Sequence, residues 1–362
     1  MLIRSGTVTA LYLFDIADEI DLAAVPRLLG TAAAPARLEP KPLTPASVQY
    51  QQPPLVIDGE ALGLPALKGV RHRLKVFDYG VLSLALTLPV PSDRSSWADI
   101  HGVAQTLAGL EESAQEWASQ IATRLHACLV RGHPPSLSED YFVYAITALD
   151  APMTADAMLD QHGDNIAALL RGEAQPLSRQ ERDEVLRHRI SYLADDLAVP
   201  AWNAAFVYDT EAGAQAALEI FEFANSQLLE FRYYDDLLDS ELTHIYDSLQ
   251  EPRWYHVFGR RYVQAARRLH AVYIDVNELT DKTENALKMV GDVYAARLYA
   301  LAAARLGLDR WKQNVEEKLD TLDDIYRFTV EQTQMSRGHL LELTIILILV
   351  LELVLVFMGI MK

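Results

Sequence analysis

All 16 prolines of this 362-residue chain lie at or before Pro252, and none follows it. Proline removes a backbone N–H and its ring collides with the carbonyl four residues back, so it breaks a helix interior. Long uninterrupted helices are therefore confined to the C-terminal part. There Trp311, Val315, Leu319, Leu322, Tyr326 and Thr329 recur at helical spacing, with Lys312, Glu316, Glu317, Asp320 and Asp324 between them, the pattern of an amphipathic helix. Upstream, the alanine-rich stretch Ala295–Leu308 suits close helix packing, and Tyr262–Leu279 supplies a further helix. Residues 210–336 are expected to form a helical bundle or stalk.

Beyond it, Leu340–Met361 reads LLELTIILILVLELVLVFMGIM, whose charged members are Glu342 and Glu352. As a helix this run would be about 33 Å long, against a hydrocarbon core of about 30 Å, so a single C-terminal transmembrane helix over 340–361 is predicted. With Lys362 alone after it, the topology reads as tail-anchored. Arg337 and His339 before the run favour a cytoplasmic N-terminal part. The start, MLIRSGTVTALYLFD, has neither the length nor the small-residue cleavage site of a leader peptide. Glu352 would sit near mid-span, where an unpaired carboxylate costs a few kcal/mol. It is expected to meet another copy of the same helix in a homo-oligomer, with an ion or proton pathway as the alternative.

Fifty Asp+Glu against 32 Lys+Arg give a net charge of -18, which argues against binding the phosphate backbone of nucleic acid by bulk charge. The lone cysteine, Cys128, excludes an intramolecular disulfide and any cysteine-built zinc site.

The first 150 residues alternate differently. Thr7–Phe14, Leu74–Tyr79, Val81–Leu88 and Tyr141–Leu149 are strand candidates; Ile16–Leu29 and Trp97–Val130 are helix-like. That order, βαββαβ, predicts an α+β protein whose N-terminal head over 1–150 is ferredoxin-like. Residues 31–65 hold seven of the prolines and are expected to be a loop or insertion. In the central segment, 151–209, Ser178 with Glu181 forms a capping-box signature, and Ala204–Asp209 is strand-like.

No P-loop, GxGxxG, HExxH or GxSxG motif occurs, so neither catalysis nor a cofactor is expected. Asp235, Asp236 and Asp239 fall within about one helical turn and could offer oxygen ligands to a divalent ion. The plainer reading is a solvated face with Arg232 pairing Asp236. Arg253, Arg260, Arg261, Arg267 and Arg268 form a basic stripe in an acidic protein, either pairing with its own acidic helices or docking an anionic lipid or RNA.

Three stretches in order resemble the domain-of-unknown-function 155 family, also called the YagE or required-for-meiotic-nuclear-division family. They are Phe77-Asp78-Tyr79-Gly80-Val81, the block Leu177–Asp209, and Arg337–Val356 with its two glutamates. The resemblance implies a membrane-anchored oligomeric scaffold with no catalytic residues to carry over. The family includes a mitochondrial inner-membrane protein that supports translation; lacking an import leader, this chain fits a bacterial inner membrane better. The expected function is a tail-anchored, self-associating scaffold whose cytoplasmic head binds a protein partner. One rival is a relative of the CorA-like divalent-cation channels, although one span and Met358-Gly359-Ile360 stand where those have two spans and Gly-Met-Asn. The other is a membrane-tethered translation factor, touching nucleic acid through the ribosome alone. A metal enzyme built on Asp235, Asp236 and Asp239 is the last of the readings.

Overall fold

The apolar run near the N-terminus forms the centre of the molecule's main sheet. In a computed structural model the described residues are 3–30, 34–35, 53–62, 69–91, 95–250, 272–274, 276 and 293–357. The elements in chain order are β1 (Ile3–Asp15), β2 (Glu19–Ile20), α1 (Val25–Leu29), β3 (Ala34–Pro35), β4 (Leu55–Asp58), α2 (Gly59–Leu62), β5 (Arg71–Val76) and β6 (Val81–Pro89). They continue with α3 (Trp97–Ala108), α4 (Glu111–Leu125), β7 (Leu129–Val130), β8 (Ser138–Leu149), α5 (Ala155–Leu170), α6 (Arg179–Arg187), β9 (Leu197–Pro200) and β10 (Ala204–Tyr208). Beyond β10 come α7 (Glu211–Gln250), helical residues at 272–274 and 276, α8 (Val293–Leu306) and α9 (Leu308–Phe357).

Two compact units are present: Met1–Tyr233 with Asn277–Lys312, and Tyr234–Val276 with Gln313–Lys362. The first holds an eight-stranded sheet of order β3-β4-β5-β6-β1-β8-β10-β9. Every neighbouring pair is antiparallel except β8 with β10, which is parallel. Because side chains alternate along a strand, β1 serves two layers. Val8, Ala10, Tyr12 and Phe14 join the main apolar cluster with Leu107, Trp117 and Ile121 of α3 and α4 and Met158 of α5. On the other face, Leu13 stands opposite Ser83, and Ser83 opposite Lys75; Leu11 stands opposite Ala85, and Ala85 opposite Arg73. That face meets α7, where Phe221 packs on Tyr141 of β8 at 5.8 Å between ring centres.

These findings correct the expected ferredoxin-like head. The sheet does not stop at four strands: β4, from the proline-rich 31–65 stretch, pairs with β5, and β9 and β10, from the central segment, extend it past β8. The helix expected over Trp97–Val130 is two, α3 and α4, because the chain turns at Gly109-Leu110 before α4 begins. The N-terminus of α3 is closed by a capping box between Ser96 and Asp99, that of α5 by Thr154 and that of α6 by Ser178, each accepting from the amide three residues on.

The C-terminal expectation is corrected as well. Among the described residues no helix is long and apolar enough to cross a membrane, so the transmembrane helix, the tail anchor and the inner-membrane address lose their support. The apolar run is the last part of α9, a 50-residue helix whose earlier turns are charged. Its described apolar side chains extend from Ile345 to Val350, ahead of the exposed Glu352. The remaining residues of the run, 358–361, lie outside the described ones.

Candidate functional site

The middle of α7 is buried on all sides, and its polar residues are buried with it. Glu222, Asn225, Ser226, Gln227 and Glu230 are each at most 1% exposed. A buried charge is tolerated when it is paired and hydrogen-bonded, and Glu222 meets that demand. Its carboxylate lies 2.5 Å from Lys75 Nζ and 3.0 Å from Arg73 Nη2, and Ser83 Oγ donates to it at 2.6 Å. Burial pushes its pKa up, but Lys75 and Arg73 more than offset this and hold it below the ordinary glutamate value. One turn on, Ser226 Oγ and Tyr79 Oη, from the β5–β6 turn, are 2.7 Å apart.

A second cluster lies where β1 ends. Asp15 is fully buried, and neither carboxylate oxygen makes a hydrogen bond of ordinary geometry among the described residues. His133, on the segment leading to β8, places Nε2 3.5 Å from Asp15 Oδ1. The His133 ring stacks on Tyr233 of α7 at 5.0 Å. Tyr233 Oη donates to Asp18 Oδ1 at 3.0 Å, and Asp18 also pairs with Arg131. Burial, reinforced by the Asp18 charge, pushes the Asp15 carboxyl up to about 8, with the Ile16 and Ala17 amides opposing the shift. Burial and the same two aspartates push the Tyr233 hydroxyl well above the usual tyrosine value.

Two backbone features shape this corner. Arg131 has φ 51°, a left-handed conformation rare outside glycine. Gly80 has φ 98°, and a Cβ there would sit 1.7 Å from Ala17 O, while Gly80 O accepts from the Ile16 amide at 3.1 Å. Gly80→Ala is expected to cost about 2–4 kcal/mol of stability, combining the left-handed strain with a backbone collision. A urea midpoint unchanged by that substitution would contradict the geometry.

The residues expected from sequence to form sites are placed as follows. Lys318 Nζ lies 2.7 Å from Asp235 and 2.6 Å from Asp239. Among the described residues no group of three or more His, Cys, Asp or Glu could hold a metal ion. Arg232 pairs with Glu139 of β8, where sequence spacing suggested Asp236. Arg253, Arg260, Arg261, Arg267 and Arg268 lie outside the described residues. Glu352 is on an exposed stretch of α9.

Sequence reasoning missed both polar clusters. Glu222, Ser226 and Glu230 recur every four residues within the apolar run of α7, a polar stripe inside an otherwise core-forming helix. Asp15 closes the strand sequence LYLF, which gives no sign that its carboxylate stays inside. His133 could not be linked to it without the fold.

The fold and these clusters define an α/β protein with a large, mostly antiparallel sheet and charged groups enclosed under one long helix. The family model described as "Uncharacterized protein MJ0711, N-terminal domain" matches residues 5–215, and the chain belongs to that family. The protein called "Uncharacterized protein MJ0711" from Methanocaldococcus jannaschii is similar, 26% identical over 217 residues. The match covers 60% of this chain and 65% of that protein, under two thirds of its length. No solved structure matches the chain. The family match overturns the resemblance to the domain-of-unknown-function 155 family, and an archaeal relative removes the ground for a bacterial setting. Phe77-Asp78-Tyr79-Gly80-Val81 is the tight turn joining β5 to β6, and a glycine at positive φ there answers to turn geometry, which unrelated hairpins share.

Proposed function

We propose that the protein is a non-enzymatic, self-associating scaffold whose first unit offers a protein-binding platform and whose α9 joins copies of the chain. One observation carries this reading: Ile345, Ile346, Leu347, Ile348, Leu349 and Val350 are six successive large apolar side chains, each 52–67% exposed. Six consecutive residues of a helix point all around its axis; a bundle of identical helices covers those on its inner face. Full burial of one such side chain is worth about 1.5–3 kcal/mol. Covering the exposed half of the three or so that face inward therefore contributes on the order of 3 kcal/mol per copy, which offsets part of the entropic cost of association.

Two features of the first unit support the non-enzymatic part of the reading. Glu222 is compensated by its own strand cations, and Asp15 is sealed from solvent. Neither presents a reactive group to a substrate.

Sedimentation equilibrium of the full chain tests the proposal. A multimer is expected, and the pair Leu347→Lys with Val350→Lys should reduce it to a monomer while leaving the circular dichroism of the folded units in place. A wild-type monomer, or a multimer indifferent to the two lysines, overturns it.

A further inference from the structure

His133 Nδ1 is 3.3 Å from the Pro134 carbonyl oxygen. A carbonyl can only accept, so Nδ1 carries a hydrogen. Nε2 then faces Asp15 Oδ1 at 3.5 Å, an acceptor toward an acceptor unless a proton lies between them. Beside the pair the Asp18 carboxylate is engaged by Arg131. The backbone of the segment is tied to the chain around the end of β1 at two points: the His133 amide donates to Ile16 O at 2.8 Å and the Asp15 amide to Leu137 O at 3.3 Å; just before it, the Asp18 amide donates to Val130 O of β7 at 3.1 Å.

We propose that Asp15 and His133 share one proton as a latch, holding segment 131–137 against the end of β1 and against Tyr233 of α7, and that alkaline loss of the proton releases the segment. The groups surrounding the pair set the direction. Asp18 follows β1; Arg131 lies on the latched segment itself; Asp78 and Tyr79 come from the β5–β6 turn. Glu139 and Asp140 lie on β8, and Glu230, Arg232 and Tyr233 on α7, with Arg232 engaged by Glu139. Once the proton leaves, two carboxylates and a ring lone pair face one another in a buried corner with Arg131 as the cation engaged there. Opening lets water solvate Asp15, which relieves that repulsion. The closed state holds a proton that the open state gives up, so raising the pH favours opening until the closed-state value is passed.

Amide hydrogen exchange, corrected for the intrinsic pH dependence of exchange, reads the latch directly. Protection of the peptide covering 131–137 should fall more than tenfold between pH 6 and 8 in the wild-type chain and level off above pH 9. Asp15→Asn, whose amide can donate to Nε2 at every pH, should show no such fall. Flat protection in the wild-type chain overturns the proposal, as does an equal fall in Asp15→Asn. If Asp15→Asn does not fold, the wild-type profile decides: protection of β10 must stay constant while that of 131–137 drops, and a parallel drop in both overturns the latch.

Discussion

Replacing Glu222 by Ala should lower the unfolding free energy by about 3–5 kcal/mol, the range for removing one member of a buried ion pair and stranding the other. Lys75 is 4% exposed and fixed by its place in the sheet, between β4 and β6, so its ammonium cannot reach bulk water once the carboxylate is gone. Arg73 is partly exposed and recovers some hydration, which keeps the loss toward the lower end. Chemical denaturation at pH 7 measures the effect, and a loss under about 1 kcal/mol would mean that the cluster is solvated. Glu222→Gln separates charge from volume: the side chain still fills its site but no longer neutralises Lys75, so it should lose most of the same amount. Adding Lys75→Met to Glu222→Gln should recover part of the loss, because the stranded cation is then absent. The pH dependence follows from the sign of the shift. A carboxyl held below its ordinary value contributes stability above the unfolded value of about 4.3 and loses it as the pH falls through the lower folded value.

How far the fold could be read from sequence depended on whether the deciding interactions were local. Thr7–Phe14, Val81–Leu88 and Tyr141–Leu149 lie within β1, β6 and β8 because β-rich runs bounded by turn residues are local signals. The absence of proline after Pro252 is also local, and α9 runs 50 residues without a break. What could not be read was pairing. The recruitment of β9 and β10 depends on a crossover through α5 and α6 that returns the chain parallel to β8, and a strand's alternation does not name its neighbour. Hydrophobicity misled at the C-terminus, where the length of an apolar run with two charged members implied a membrane span and the described helix does not meet the requirement. The polar clusters were hidden for a related reason. Glu222 finds its counter-charges on residues 73 and 75, and Asp15 meets a histidine more than a hundred residues away; neither separation leaves a trace in spacing.

Asp15→Asn should stabilise the protein at pH 8 by about 2–4 kcal/mol and remove a slope from its stability profile. The wild-type carboxyl takes up a proton on folding, because its value rises from the ordinary 3.8 to about 8. Between those two values the folded carboxyl holds a proton that the unfolded carboxyl has lost, so, compared with Asp15→Asn, each pH unit removes up to about 1.4 kcal/mol of stability. The loss is complete once the pH passes the folded value. The Arg131 cation engaged by Asp18 beside it offsets part of the cost of the ionised carboxylate and reduces the total below the product of slope and window, hence the smaller figure. Asparagine cannot ionise, keeps the shape of the protonated acid and offers an N–H toward His133 Nε2, so its stability should be level across pH 5–9 at this site. At pH 4, where the wild-type carboxyl is protonated in the folded state, the two proteins should differ by less than about 1 kcal/mol. A destabilised Asp15→Asn at pH 8 would show that the carboxylate is the species the fold requires, and that the buried corner solvates its charge by some route other than the shared proton.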